Sequence, residues 1–230
     1  MRQTAAFDAC ATTYDAALNR GISISGESKE YFIRRRIEWL SLRLRQHGCR
    51  PGHVLDYGCG TGGSAPDLLD HLPATSVTGV DVSSHSIDVA RSRYAHSNVR
   101  FSTLDQWQAA GEYDLAYCNG VFHHIEPACR GRALACISRA LSVRGYFAFW
   151  ENNPWNPGTR LVMRRIPFDR DAETLSPPVA KALVRKCGFS GPMKFWSLFY
   201  FPRQLAVLRS LEGALAGLPL GAQYCVLGAR

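Results

Sequence analysis

The stretch VLDYGCGTGG, residues 54–63, is an apolar run that stops at Asp56 and then gathers Gly58, Gly60, Gly62 and Gly63. Glycine tolerates positive φ and close approach by a ligand, at a cost of about 0.5–1 kcal/mol in regular structure. After a strand, such a cluster points to a bound ligand more than to a simple turn. Gly58, Gly60 and Gly63 fit G-x-G-x-x-G literally, and Asp81 follows about twenty residues on, as a dinucleotide fold requires. Asp56 argues the other way. A pyrophosphate gains nothing from a carboxylate beside it, whereas a ligand carrying a cationic ammonium does. A further acid, Asp105, closes the apolar run VRFSTL and is placed to accept from an exocyclic amine. His123, in YCNGVFHHI, could face a substrate as general base, and a packed or solvent-facing histidine fits the sequence equally well.

The elements that must hold these residues alternate. Residues 1–20 and 27–48 read as helices. Strands are expected at 53–57, 76–82, 99–104, 113–119 and 145–151, with helices between them ending near 72, at 84–95 and at 129–141. Alternation of this kind implies a parallel sheet covered on both faces. Beyond Asn152 the pattern changes to a loop NPWNPG, a helix over 177–189, and two strands, 194–201 and 222–229, separated by an apolar insertion.

VLDYGCGTG, GVDVS, STLD and YDLAYCNGVFHHI, in that order and spacing, resemble the class I S-adenosylmethionine (SAM) methyltransferases. The motifs cover residues 54–125, and the terminal strands extend the likeness over almost the whole chain. The resemblance implies an α/β, Rossmann-like three-layer fold with a seven-stranded, mostly parallel sheet and an antiparallel C-terminal strand. It implies a single domain over 1–230: an N-terminal helical cap (1–50), a SAM-binding core (51–152) and a substrate-side segment with the terminal strands (153–230). It assigns the loop containing Gly58, Cys59, Gly60 and Gly62 to the methionine and sulfonium part of the cofactor, with Asp56 as the acid supporting that loop. Asp81, with Val82 beside it, takes the ribose hydroxyls, a bidentate task suited to a carboxylate. Leu104 and Asp105 meet the adenine, although Asp105 could also serve only as a helix cap. Asn119 and Gly120 lie beside the transferable methyl, and His124 stands where the family often has a structural histidine. Arg36 is a candidate for the cofactor's carboxylate, with Arg34 and Arg35 as alternatives.

Methyl transfer is an in-line displacement from an activated sulfonium, so the protein mainly positions partners and removes a proton where needed. NGVFHH stands where amide and exocyclic-amine methylases of this fold carry D/N-P-P-Y, and no acid cluster suggests a magnesium enzyme. Tyr14, Tyr31, Trp196 and Tyr200, with His123, are the expected lining of an aromatic acceptor pocket; core packing is the competing role for these aromatics. The formal charge of +8 invites a nucleic-acid acceptor, but the arginines are dispersed and cluster only at 34–36 and 164–165. A small organic acceptor is the preferred partner. Nucleic-acid methylation, a SAM-binding pseudoenzyme acting as partner subunit and, last, a nicotinamide oxidoreductase are the alternatives. The eight cysteines show no CxxC pair and no His cluster at metal spacing, so no metal and reduced thiols are expected. With no signal peptide and no membrane span, a cytoplasmic protein is the expectation.

Overall fold

A computed structural model describes residues 14–230 apart from 171 and 190. Seven strands form one sheet: β1 (His53–Tyr57), β2 (Ser76–Asp81), β3 (Val99–Thr103), β4 (Tyr113–Asn119), β5 (Leu141–Asn152), β6 (Met193–Leu198) and β7 (Gln223–Ala229). Their spatial order is β3-β2-β1-β4-β5-β7-β6. The β1–β2, β1–β4, β2–β3 and β4–β5 pairs are parallel, and β7 inserts antiparallel to both β5 and β6. This is the Rossmann-like methyltransferase arrangement expected from the sequence.

Helices α1 (Tyr14–Ile22), α2 (Lys29–Gln46), α3 (Ala65–His71), α4 (Ser84–Tyr94), α5 (Pro127–Ala140), α6 (Pro157–Arg165), α7 (Pro177–Lys186) and α8 (Glu212–Leu215) complete the fold, with a 3-10 segment at Arg203–Leu211. Successive strand residues point to opposite faces, so the strands feed two cores. Val54, Val77, Leu115 and Trp150 join Ile37, Leu40 and Leu44 of α2 and Leu68 of α3. Leu55, Ala116, Phe147 and Phe149 join Leu134 and Ile137 of α5 and Ala180 and Val184 of α7. The buried strands therefore read as continuous apolar runs, as parallel strands covered on both faces must.

Three details differ from the sequence reading. The loop after β5 soon turns into helix α6: Asn156 caps it by accepting from Thr159 N at 2.9 Å, and Pro157 fills the first turn, where its missing N–H costs nothing. Strand β5 starts earlier than expected, at Leu141. Strand β6 stops at Leu198 because Phe199 adopts φ +64°, a left-handed conformation no strand continues through.

Candidate functional site

Strand order reverses between β1 and β4, and ligands of open α/β sheets bind outside the carboxyl ends of strands at such a switch point. The glycine loop after β1 and Asn119–Gly120 after β4 therefore meet at one crevice. The loop is pinned to β2: Gly58 N and Cys59 N both donate to Val80 O, at 2.7 and 3.1 Å. Asp81, ending β2, accepts from Gly60 N and Ser83 N, each at 2.9 Å. A carboxylate oxygen can accept from more than one donor, so this residue is of the type that could also hold a ribose hydroxyl. Val82 is exposed beside it, and Leu104 and Asp105 follow the adjacent β3, Leu104 partly buried and Asp105 exposed.

The glycines do not all make room for a ligand. A Cβ on Gly58 would lie 2.3 Å from Val121 Cγ2, and one on Gly62 2.9 Å from Ala90 and Phe101. Protein packing alone excludes side chains there. Gly60, at φ +52°, faces open space with nothing within 4 Å. The Cys59 thiol turns towards Gly79 in β2, and burial pushes its pKa well above the usual thiol range. It fills space.

Asp56 is 2% exposed, and its Oδ2 has no hydrogen-bond partner. Burial, then the charge of Asp81, pushes its pKa up to about 7 against the opposing pull of Arg36 and Lys29. Asn119 Oδ1 is also buried without a partner. Two orphaned acceptors beside a glycine cradle call for a ligand that donates or is cationic. An ammonium, a sulfonium and ribose hydroxyls meet that demand, so these residues fit SAM.

Helix α1 lies over the loop: Asp15 Oδ1 accepts from Thr61 Oγ1 at 3.4 Å and pairs with Lys29 at 2.6 Å, and its Oδ2 pairs with Arg93 at 3.1 Å. Of the three adjacent arginines only Arg36 turns inward. It is buried, donating to Tyr117 Oη at 3.2 Å and Gln223 Oε1 at 2.8 Å. Arg34 pairs with Asp67 and Arg35 with Glu38 at the surface.

Beside Asn119 and Gly120 a cavity of about 380 Å³ is framed by residues 18–36, 119–124, 152–169 and 199–223. Tyr31, His123, Tyr200 and Arg36 all line it. Tyr200 also donates its hydroxyl to Leu215 O at 2.6 Å, which ties the wall to the insertion before β7. Asn153 Nδ2 holds the same insertion through the carbonyls of Pro219 and Gly221, at 2.9 and 2.8 Å. Trp196 does not belong to the cavity. It packs against the α2 core, with the Arg43 guanidinium 5.5 Å from its ring centre. It lies on the sheet face that α2 covers, but beside Arg43, two helical turns away from Arg36 at the cavity, so it is not part of the lining. The side chain of Tyr14 lies outside the described residues.

At the floor of the cavity, His123 Nδ1 is 2.6 Å from Glu151 Oε2, and its Nε2 is 3.5 Å from Asp169 Oδ1. His124 Nε2 lies 3.1 Å from the same Asp169 oxygen. Burial works against an imidazolium at His123, but Glu151 and Asp169 outweigh it and push its pKa up to about 10. Burial would raise the Asp169 carboxyl, yet the two histidines hold it at about 2. Held between two carboxylates, the imidazole is protonated at neutral pH in the free chain and accepts no further proton, which favours the packed role over the general-base role among the two that the sequence allows. Glu151 and Asp169 were missed in that reading. Glu151 left a signal, an acid at the end of an apolar strand; Asp169, in the polar run FDRD, left none.

Residues 54–145 match the family model described as "Methyltransferase domain". The chain is 41% identical over 98 residues to malonyl-[acyl-carrier protein] O-methyltransferase of Acetivibrio thermocellus, covering 42% of this chain and 34% of that protein. It is 30% identical over 160 residues to O-methyltransferase cnsE of Penicillium expansum, covering 60% of this chain and 51% of the relative. The chain thus spans between a third and about half of the length of these two relatives. Among solved structures, the plantazolicin methyltransferase BamL, crystallised with a triazolic desmethylPZN analog and SAH, superposes with a TM-score of 0.65 at 15% identity, covering 97% of this chain and 99% of that one. Residues 54–145 thus carry a methyltransferase domain, and in its sheet order and glycine loop the chain is similar to the class I S-adenosylmethionine-dependent methyltransferases, whose cofactor its site residues fit.

Proposed function

We propose that this chain transfers the methyl group of SAM to an oxygen or nitrogen of a small, partly apolar organic acceptor, such as a natural product or lipid precursor. The observation that carries the reading is the cavity beside Asn119 and Gly120, whose volume suits a small molecule. Bound SAM supplies an activated methyl on a sulfonium; the chain's task is to hold the acceptor in line and exclude water. Asp81 and Gly60 hold the ribose and loop side, Val82, Leu104 and Asp105 the adenine side, and Asp56 and Arg36 the charged methionine end. The cap, through residues 18–36, and the substrate-side segment, through residues 152–169 and 199–223, wall the acceptor, with Tyr31 and Tyr200 as aromatic contacts. Two of the matched relatives are named O-methyltransferases, which favours oxygen as the attacking atom.

The dispersed arginines argue against a nucleic-acid acceptor, because Arg34, Arg35, Arg91, Arg93 and Arg209 are each engaged by a local acid. Seven described cysteines are free thiols, which supports a reducing, cytosolic setting. Among the described residues, no helix is long and apolar enough to cross a membrane. Labelled SAM incubated with small hydroxylated and amino acceptors tests the reading. Transfer to one of them carries it, and equal, salt-sensitive transfer to bulk RNA or DNA overturns it.

A further inference from the structure

We infer that His123, His124 and Asp169 form a binding site for a divalent transition-metal ion, with Glu151 behind it as the group that orients His123. The three ligand atoms lie within 4.8 Å of one another. The two distances to Asp169 Oδ1, 3.1 and 3.5 Å, match the edges of a coordination polyhedron: ligands bound at about 2.0–2.2 Å sit roughly 3.0–3.5 Å apart at octahedral or tetrahedral angles.

A second observation is independent of that spacing. His123 is 4% exposed, and its Nε2 makes no hydrogen bond. Its other ring nitrogen faces Glu151, which is itself 1% exposed and fixed by accepting from Phe122 N at 2.7 Å. A carboxylate that accepts from Nδ1–H aims the other ring nitrogen, Nε2, at the site, where a metal ion would take the place of its proton. That is how carboxylate–histidine–metal arrangements set the tautomer of a ligand. Asp169 and Glu151 together supply two negative charges, equal and opposite to the charge of one divalent ion.

The frame is held before any ion arrives. Glu173 N donates to His123 O at 3.1 Å. Arg130 clamps the same turn by donating to Phe122 O and Ile125 O, at 3.1 and 2.9 Å, and to Glu173 O at 2.9 Å. All three ligands line the cavity. Two histidines and one carboxylate on one side of an ion leave its remaining positions open, here towards the acceptor space, for an oxygen or nitrogen donor. The metal site stands on its own geometry; only its use in holding an acceptor rests on the proposed function.

The test is titration of the chelator-treated full chain with Zn²⁺ by calorimetry, and with Co²⁺ by visible absorption. SAM affinity is measured on the same samples. The expected result is one saturable equivalent and a Co²⁺ ligand-field band that appears on binding. Asp169→Asn and His124→Ala should each weaken binding by about a hundredfold or more, and Glu151→Gln by about 10–100-fold, with SAM affinity within twofold of wild type. His124 is only half-buried, so His124→Ala keeps the test alive if the Asp169 or Glu151 variant fails to fold. Absence of saturable binding would overturn the inference. So would binding that His124→Ala leaves unchanged, which would locate the ion at surface histidines. Metal binding without SAM binding would instead refute the cofactor reading and leave the metal site standing.

Discussion

Asp56 should make SAM binding depend on pH in a way that Asp56→Asn abolishes. The carboxyl is buried beside Asp81 and titrates near 7 in the ligand-free chain, while the methionine end of the cofactor is cationic. If binding needs the ionised form, the apparent affinity falls by the factor 1 + 10^(pKa − pH). That is about tenfold at pH 6, twofold at pH 7 and almost nothing at pH 8, equivalent to roughly 1.4 kcal/mol at the acid end. Calorimetry at pH 6 in buffers of differing ionisation heat should register release of nearly one proton per SAM bound. The upper limit of the range is set by the ligand's own amine, since α-amino groups titrate at about 7.7–8.0. The sign for the free chain follows from the same shift. A carboxyl whose folded pKa lies above its unfolded value contributes stability below the unfolded pKa, and that contribution is lost as pH rises through about 7. Asp56→Asn should therefore raise the Tm of the free chain at pH 8 but not at pH 4. Wild-type affinity that stays flat from pH 5.5 to 7.5 would refute the reasoning.

Three further outcomes are expected. Asp81→Ala removes charge-assisted hydrogen bonds of about 1.5–3 kcal/mol each and should lower SAM affinity at least tenfold with the fold retained by circular dichroism; unchanged binding would end its ribose role. Gly60→Ala meets open space whereas Gly58→Ala meets Val121 at 2.3 Å. Both variants carry the backbone strain of a positive φ; Gly58→Ala should lose roughly 1–3 kcal/mol more from overpacking, while the further loss in Gly60→Ala should be in cofactor affinity. Thermal unfolding beside SAM titration separates the two, and wild-type affinity in Gly60→Ala would remove it from the cradle. Tyr200→Ala should raise the acceptor KM, whereas Trp196→Ala should leave KM alone and lower the unfolding free energy by less than the ~3–5 kcal/mol of a fully buried aromatic; a KM effect from Trp196→Ala would return that residue to the pocket.

Much of this protein is written locally in its sequence. Apolar runs such as HVLDY and YDLAYCN, short, bounded by turn residues and alternating with amphipathic helices, specify the strands of a parallel sheet. The order of acids and glycines at the strand ends specifies a crevice for a cationic, ribose-bearing ligand, because a switch point gathers strand ends whatever the rest of the chain does. Other features depend on which face a side chain takes and which distant segment meets it. Trp196 and Tyr200 are both aromatic and both follow Lys194, yet one packs on α2 beside Arg43 and the other walls the cavity, since the left-handed turn at Phe199 ends the strand between them and redirects the chain. Arg36 is indistinguishable from Arg34 and Arg35 until the helix is docked and only one of the three faces the core. The cluster of His123, Glu151 and Asp169 joins residues spread over 28 positions between the first two alone. Its parts meet because β4 and β5 are neighbours and because the residues at Asp169 and Glu173 pack over their ends. Tertiary contact decides such a site, since the charges that set the protonation of His123 come from segments its own sequence neighbourhood does not contain.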